Sequence, residues 1–328
     1  MDGVNFIIFG AGAWGTAMAI HLAKQNHKVI LVPRDEIKAE KMRQANENIY
    51  HLEGIPLPSH LIIDTHFQSY LNPQSVVILA CPTQGLAELC DKLSSFKGSV
   101  GHVISLVKGL DRASLKTPAE LIESLLPNVK FSCLSGPTYA KEFAEGKPAA
   151  MVLASKTDVK ALQKQLSNHV VRIYTSQDLR GVEVGSCMKN IYAVGAGILD
   201  GLKLGDNAKA AYLTRALHEI AKFGTYLGGK TETFYGLSGL GDLMATAQGL
   251  WSRNRTFGFD FAQGKSIEEL LQNKTVEGYW SIQCFHQLAE KIGFEAPILN
   301  ILYKTFYEKY NINDAVKDLI TRELKQEF

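Results

Sequence analysis

The sequence predicts an α/β protein in which a mostly parallel sheet in the N-terminal part is followed by an all-α C-terminal part. Up to about residue 178, short apolar and β-branched runs alternate with helical patterns, which is typical of parallel strands joined by crossover helices. Beyond that point apolar residues recur at helical spacing and strand signals disappear. With 328 residues the chain exceeds what one core usually supports, so we expect two domains, 1–178 and 179–328.

The strand predictions rest on short runs that are apolar on successive residues, as expected in a sheet covered by helices on both faces. The predicted strands are Val4–Phe9, Lys28–Val32, Val76–Ala80, His102–Val107, Val129–Leu134, Ala149–Ala154 and Val170–Tyr174.

The C-terminal half carries helix start signals at several places. Residues 207–227 have helical apolar spacing, and Ser266 with Glu269 has the sequence of a capping box. Pro297 is placed to begin a helix, and Asn313 is placed to cap the last one. These signals predict an all-α C-terminal domain.

Three glycines follow the first predicted strand directly. Gly10 permits a tight turn, Gly12 lets a pyrophosphate approach the backbone, and Gly15 allows close packing of the predicted helix Thr16–Lys24. The N-terminus of that helix offers free N–H donors to an anion. Strand, glycine loop, helix and second strand together predict a Rossmann-like dinucleotide site.

The end of the second predicted strand bears on the choice of cofactor. An acidic residue at this place binds the ribose hydroxyls of NADH, whereas an arginine suits the 2′-phosphate of NADPH. Arg34 occupies that place and Asp35 comes one residue later. We therefore expect NADPH or NADH, with NADPH favoured; the alternative is that Arg34 is only a solvated side chain.

Composition excludes several classes of partner. The chain has 35 basic and 33 acidic side chains and a net charge of +2, so neither nucleic acid nor a membrane surface is implied. Its five cysteines are scattered without a C-x-x-C pair, which indicates reduced thiols in the cytoplasm and no metal site. Neither a signal peptide nor a membrane-spanning run is recognisable.

Residues just after predicted strands are candidates for the chemistry, because open sheets bind ligands there. Lys108 follows one strand, and Gly136 and Thr138 follow another. In the helical half, Lys189 lies on an apolar helix with small residues behind it. Burial there would lower the pKa of the lysine and suit it to proton transfer near neutrality. The alternative is a lysine that extends to solvent at a domain junction.

Two later segments have the residue types of an anion site. Asp242 and Thr246 are four residues apart and share one helix face. Ser252, Arg253 and Asn254 combine a guanidinium with small hydrogen-bonding groups, as a substrate phosphate or carboxylate requires. The plainer interpretations are a helix cap at Asp242 and a solvated loop at residues 252–255.

Taken together, these segments resemble the NAD(P)-dependent glycerol-3-phosphate dehydrogenases over nearly the whole chain. The resemblance is carried by separated motifs in the family's order, namely residues 10–16, Lys108-Gly109, residues 135–140, Lys189-Asn190 with residues 193–197 and 200–201, residues 239–243, residues 252–254 and Glu277-Gly278. Two departures are visible. Val107 replaces the usual Ser or Thr before Lys108, and residues 50–54 follow the usual Tyr-Leu-Pro-Gly pattern only loosely.

The resemblance implies reversible hydride transfer between a nicotinamide and dihydroxyacetone phosphate, giving sn-glycerol 3-phosphate for phospholipid synthesis by a homodimer. Lys189, Lys108 and Asp242 would be catalytic, with Lys189 transferring the proton. The implied cofactor contacts are Gly10, Gly12, Ala13, Trp14, Gly15, Arg34, Lys108, Ala140, Arg253 and Glu277. The implied substrate contacts are Lys108, Gly136, Thr138, Lys189, Asp242, Thr246, Ser252, Arg253 and Asn254.

Two other functions remain open at this point. A β-hydroxyacid dehydrogenase of similar architecture would also use Lys189 for proton transfer, on a substrate with a carboxylate. An NADPH-binding sensor without catalysis would leave the pairing of Lys189 with Asp242 unexplained.

Overall fold

The computed structural model describes residues 5–249, 251–272, 275–321 and 326–327. Its main sheet has eight strands in the order β10-β9-β8-β7-β6-β1-β2-β5, and a separate ribbon pairs β3 with β4. Every neighbouring pair of the main sheet is parallel except β8 and β9. The strands are β1 (Asn5–Phe9), β2 (Lys28–Val32), β3 (Glu47–Asn48), β4 (Leu52–Pro56), β5 (Ile62–Ile63), β6 (Asn72–Leu79), β7 (Val100–Ser105), β8 (Lys130–Ser135), β9 (Ala149–Ala154) and β10 (Val171–Ser176).

Helices connect the strands and make up the second half of the chain. Short 3-10 turns lie at Phe67–Tyr70, Thr83–Gly85 and Lys97–Ser99, and a π-helical turn spans Leu237–Gly241. The α-helices are α1 (Ala13–Lys24), α2 (Glu36–Ala45), α3 (Leu86–Ser94), α4 (Pro118–Leu125), α5 (Ala140–Glu145), α6 (Lys160–Leu166), α7 (Leu179–Gly201), α8 (Gly205–Tyr226), α9 (Thr231–Phe234), α10 (Asp242–Gln248), α11 (Arg253–Ala262), α12 (Ile267–Leu271), α13 (Glu277–Ile292), α14 (Pro297–Tyr307) and α15 (Ile312–Ile320).

The predicted fold class is confirmed, with local differences. Each predicted strand has a counterpart, and Val4 lies outside the described residues. The β3–β4 ribbon and β5 are absent from the sequence prediction. β3 and β5 have two residues each, too few for a periodicity, and β4 contains Gly54 and Pro56, which are depleted in strands. The antiparallel direction of β9 is likewise not encoded in its apolar pattern. Gly146 ends α5 with a φ of +82°, and the chain turns back from there into β9.

The helical half also follows the prediction, since all described elements after β10 are helices. Pro297 begins α14, and the Ser266 side chain accepts a hydrogen bond from the Glu269 backbone N–H at 3.2 Å. The predicted cap of α15 is wrong by two residues. The Asn311 side chain caps the helix by accepting from the Asn313 N–H at 2.8 Å, so Asn313 lies inside the helix. The change from strand to helix falls between residues 176 and 179, and a domain boundary at 178 stays a prediction.

Three apolar clusters hold the molecule together. Alternate side chains of β1 point to opposite faces of the sheet, so Phe6 and Ile8 pack in one cluster while Ile7 and Phe9 pack in the other. The third cluster surrounds α7 in the helical half. No helix of the described residues is long and apolar enough to cross a bilayer.

The crossing of α7 and α11 depends on glycines. A side chain at Gly258 would overlap the carbonyl oxygen of Val194, and one at Gly197 would overlap the carbonyl oxygen of Arg255. The two helix backbones therefore touch directly. This contact fixes the N-terminus of α11 relative to α7, which carries Lys189.

We expect Gly258→Ala to lower the free energy of unfolding by about 3 kcal/mol, because a methyl group has no space between the two helices. Urea denaturation measures the loss. Gly98→Ala is the matched control, since a Cβ at Gly98 meets no atom within 4 Å, and it should change stability by less than about 1 kcal/mol. Equal stability of the two variants would show that the helices are not in backbone contact.

Candidate active site

The glycine loop after β1 has the geometry that a dinucleotide cradle needs. Gly10 has a φ of +107°, and a Cβ there would lie 2.7 Å from the carbonyl oxygen of Ala80. A side chain at Gly15 would overlap the carbonyl oxygen of Gly10. Gly12 caps α1, and a Cβ there would meet no atom within 4 Å. The loop is thus closed on the protein side and open at Gly12, in front of the helix N-terminus.

The ribbon of β3 and β4 braces this loop. The Asn48 side-chain amide donates to the carbonyl oxygen of Ala11 at 2.9 Å and to the Thr16 hydroxyl at 2.7 Å. Trp14 and Phe143 pack with ring centroids 5.5 Å apart, which brings α1 against α5. Ala140 is the first residue of α5. Asn48 was missed by the sequence analysis, because its role depends on a ribbon that the sequence pattern does not indicate.

The residues at the end of β2 have separate roles. Asp35 accepts a hydrogen bond from the Lys38 backbone N–H at 2.9 Å and so caps α2. Arg34 is exposed beside it. The carboxylate is therefore committed to the helix, while the guanidinium is accessible to a ligand.

The most distinctive feature of the molecule is a carboxylate shared by two lysines. Asp242, at the start of α10, is 2.6 Å from the ammonium of Lys108 and 2.8 Å from that of Lys189. Lys108 comes from the loop after β7 and Lys189 from the middle of α7, so this cluster joins the sheet to the helical half. Its formal charge is +1, which leaves a positive charge in a largely buried place that suits an anionic ligand.

Two hydroxyls complete this cluster. Thr246 lies one turn after Asp242 on α10 and accepts a hydrogen bond from the Lys189 ammonium at 2.6 Å. Its own hydroxyl donates to the carbonyl oxygen of Asp242 at 2.7 Å. Ser135, at the end of β8, is 3.5 Å from the Asp242 carboxylate. The predicted sharing of one helix face by Asp242 and Thr246 is confirmed.

Burial and charge tune the groups of the cluster. Burial lowers the pKa of Lys189 to about 8, with the Lys108 ammonium adding to the effect and the Asp242 carboxylate opposing it. Burial acts to raise the pKa of Asp242, but the two ammonium groups outweigh it and hold that pKa below its ordinary value. Asp242 is thus ionised, and Lys189 is placed to gain and lose a proton near neutral pH.

The loop after β8 packs against α10, the helix that carries Asp242. Gly136 has no space for a side chain, since a Cβ would lie 2.8 Å from the carbonyl oxygen of Ala150. The Thr138 hydroxyl is buried and has no hydrogen-bond partner. The Tyr139 hydroxyl donates to the carbonyl oxygen of Ala245, one turn after Asp242 on α10. The loop is therefore tied to α10, which carries Asp242, and holds an unpaired buried hydroxyl at Thr138.

The residues at the start of α11 have different roles. Ser252 caps the helix, and Arg253 is exposed at its first position. The buried Asn254 amide donates to the Asn190 side chain at 2.8 Å and accepts from the Gly278 N–H at 2.9 Å. Asn254 thus links α7, α11 and α13 and has one amide N–H left for a ligand.

Glu277, at the start of α13, contacts the loop after β6. It accepts hydrogen bonds from the Thr83 backbone N–H at 3.4 Å and from the Thr83 hydroxyl at 3.2 Å. Burial raises the pKa of Glu277, while Thr83, Arg253 and Arg112 act in the opposite direction. Thr83 comes soon after the predicted strand Val76–Ala80, but no local pattern pairs it with Glu277.

The structure brings four of the nine predicted substrate residues into one cluster. Lys108, Lys189, Asp242 and Thr246 are in direct contact. Arg34 lies apart from this cluster, at the end of β2. No group of His, Cys, Asp or Glu suited to a metal ion occurs among the described residues.

Comparison with known proteins finds similarity over nearly the whole chain. The N-terminal profile of the NAD-dependent glycerol-3-phosphate dehydrogenases matches residues 5–161, and the C-terminal profile matches residues 178–317. A glycerol-3-phosphate dehydrogenase [NAD(P)+] of Francisella tularensis subsp. novicida is 39% identical over 98% of this chain and 99% of its own length.

Solved structures have the same architecture. A glycerol-3-phosphate dehydrogenase of Coxiella burnetii superposes with a TM-score of 0.92 at 32% identity, over 98% of this chain and all of its own. A ketopantoate reductase family protein of Ralstonia eutropha has a TM-score of 0.62 at 17% identity, over 96% of this chain and all of its own, and shares the fold alone. With both family profiles matched in order along its length, the chain belongs to the NAD-dependent glycerol-3-phosphate dehydrogenase family.

Proposed function

We propose that this chain catalyses the reversible reduction of dihydroxyacetone phosphate to sn-glycerol 3-phosphate with a nicotinamide dinucleotide. The observation that carries the proposal is the buried cluster in which Asp242 binds both Lys108 and Lys189 at the same edge of the sheet as the glycine loop. Family membership and the curated relative support the substrate. A ketone that carries a phosphate suits this cluster, because its two ammonium groups outnumber its one carboxylate.

The glycine loop fits the dinucleotide. The open space at Gly12 and the free N–H groups of α1 suit a pyrophosphate, and Ala13 and Trp14 continue that surface. Gly15 is buried behind it, against Gly10, and lets the helix approach the loop. Lys108, Ala140, Arg253 and Glu277 are proposed to surround the remainder of the cofactor. When bound, the nicotinamide supplies the hydride that the ketone carbon receives.

Lys189 is proposed to donate the proton to the oxygen that becomes an alkoxide during reduction, and to accept it in the reverse direction. A general acid works best with a pKa near the working pH, and burial brings the pKa of Lys189 to about 8. Asp242 and Thr246 fix the ammonium in place, and the Lys108 ammonium stabilises developing negative charge at the same oxygen.

The phosphate end of the substrate is assigned to the loop after β8 and the start of α11. The unpaired Thr138 hydroxyl and the backbone at Gly136 are proposed to contact the phosphate, together with Ser252 and Asn254. Arg253 places its guanidinium at the N-terminus of α11. The guanidinium and the helix N-terminus each favour a phosphate. These contacts align the ketone, which is mainly a positioning effect.

Three further properties are part of the proposal. NADPH is the preferred cofactor, the product feeds phospholipid synthesis in the cytoplasm, and the chain works as a homodimer. Exposed Leu204, Tyr226, Tyr235 and Phe259 support an interface on the helical half. The apolar face of α14 does not serve it, because Ile298, Leu299, Leu302 and Phe306 pack inside the chain's own core.

The first experiment follows oxidation of NADPH and NADH by the wild-type protein with dihydroxyacetone phosphate. The account expects activity that requires the phosphate, with dihydroxyacetone a much poorer substrate. Faster turnover of short β-hydroxyacids with NAD(P)+ would favour the other dehydrogenase class. Cofactor binding without turnover of any of these compounds would contradict the proposal.

Lys189→Ala should lower kcat on the order of 10²-fold or more, because the variant has no proton donor at the ketone oxygen. Cofactor affinity, measured by fluorescence titration, should stay within about threefold of wild type. Lys156→Ala is the control: this exposed lysine pairs with Glu123 at the opposite edge of the sheet. Near-normal turnover by Lys189→Ala would remove Lys189 from the mechanism.

The pH profile tests the role of Asp242. In the wild type, kcat for reduction should fall as pH rises through about 8, where Lys189 loses its proton. Asp242→Asn removes the carboxylate that raises this pKa, so the fall should begin at lower pH, together with a lower maximum. An alkaline limb at the same pH in both proteins would show that the carboxylate does not tune the proton donor.

Arg34→Gln tests the cofactor preference. Loss of the guanidinium should raise KM for NADPH about tenfold, because a charge-assisted bond to the 2′-phosphate disappears. KM for NADH should stay within about twofold. If both constants remain unchanged, Arg34 is only a solvated side chain.

A further inference from the structure

Thr83 occupies a special place in the sheet topology. It begins the short turn after β6 and is only 3% exposed. Strand β6 lies next to β1, on the side opposite β2, so the chain leaves the carboxyl ends of β1 and β6 in opposite directions. A dinucleotide binds in the crevice at such a switch point. Thr83 therefore lines the base of this crevice.

The contacts of Thr83 reach the start of α13. Both its backbone N–H and its hydroxyl donate to the two oxygens of the Glu277 carboxylate. Gly109, next to Lys108, completes the contact: a Cβ there would lie 2.6 Å from the Thr83 hydroxyl and 3.2 Å from a Glu277 oxygen. The loops after β6 and β7 thus meet the start of α13 at this point, and Gly109 leaves no space there for a further side chain.

Glu277 keeps acceptor capacity beyond these two bonds. A carboxylate has about four acceptor positions, and Thr83 occupies two of them. Ribose hydroxyls and the carboxamide of a dinucleotide are donors of the kind that fill the others. Only the ionised form accepts at both oxygens, so the position and the charge of this carboxylate both matter.

Several groups face Glu277 and affect its charge. The cations are Arg112, in the loop after β7, and Arg253, at the start of α11. The thiols of Cys81, Cys187 and Cys284 also lie within its electrostatic reach, and burial raises the pKa of all three. Burial also disfavours the ionised form of Glu277 and so raises its pKa. The hydrogen bonds from Thr83 are the largest influence that lowers this pKa.

We propose that Thr83 is a positioning residue, which holds the Glu277 carboxylate in the wall of the crevice so that it accepts a hydrogen bond from the nicotinamide dinucleotide. The inference rests on the proposed function, because the crevice must bind that cofactor. Thr83 touches neither the ketone nor the lysine cluster in this account. Its loss therefore weakens cofactor binding more than the chemical step.

The experiment compares Thr83→Val, which removes the hydroxyl at constant shape, with Thr83→Ser, which retains it. Fluorescence titration gives the Kd for NADPH and NADH without substrate, and a thermal melt confirms that each variant is folded. Thr83→Val should raise Kd about tenfold, the fold-change expected for a lost bond to a charged group. Its kcat should fall less than about threefold, and Thr83→Ser should stay within about twofold of wild type. Thr83→Ala repeats the test if the valine variant does not fold.

The pH dependence of Kd separates positioning from a general structural effect. Cofactor binding should weaken at acid pH as Glu277 gains a proton. Thr83→Val loses a bond that lowers the pKa of Glu277, so this weakening should begin at higher pH, whereas Thr83→Ser should match the wild type. With NADH, which has no 2′-phosphate to titrate, Glu277→Gln should remove the acid limb.

Three results would overturn the inference: a normal Kd in Thr83→Val, equal losses in the valine and serine variants, or an acid limb that does not move. Failure of the proposed function has a different signature. A wild-type protein that binds NAD(P)H but does not reduce dihydroxyacetone phosphate contradicts the function, while the Kd series still decides the role of Thr83.

Discussion

The ion pairs of Asp242 with Lys108 and Lys189 are the interaction on which the rest of this site depends. Removing two ammonium groups and a carboxylate from water is costly, and the cost is offset only when their geometry is close and their remaining hydrogen bonds are satisfied. The Thr246 hydroxyl supplies one such bond. Since Lys108 follows a strand and Lys189 lies on α7, the same pairs also determine how the sheet meets the helical half.

The architecture around this cluster holds its charged groups in close geometry. Glycine contacts bring α7 and α11 together backbone to backbone, which fixes the start of α11 near the lysines. Asn48 braces the glycine loop, and Thr83 meets Glu277 of α13. The glycine loop and the lysine cluster are therefore held by different polar contacts, while Leu179 and Val182 of α7 pack in one apolar cluster with the sheet.

The sequence predicts those parts of the site that are local. Gly10 follows its strand directly, and Asp242 and Thr246 are one helical turn apart, so their relation follows from spacing. The pairing of Lys189 with Asp242 came from resemblance to a family, because no local pattern joins residues 53 positions apart. Asn48 depends on a ribbon whose first strand has two residues. Thr83 and Glu277 are 194 positions apart, and only the folded chain brings them together.

A crystal structure of the protein with NADP+ and dihydroxyacetone phosphate would show whether Lys189 reaches the ketone oxygen. We expect that oxygen within ~3 Å of the Lys189 ammonium, with the reacting carbon facing the nicotinamide. The phosphate should lie at the start of α11. A substrate bound elsewhere, or a ketone oxygen out of hydrogen-bond reach of Lys189 while the cofactor occupies the glycine loop, would contradict this expectation.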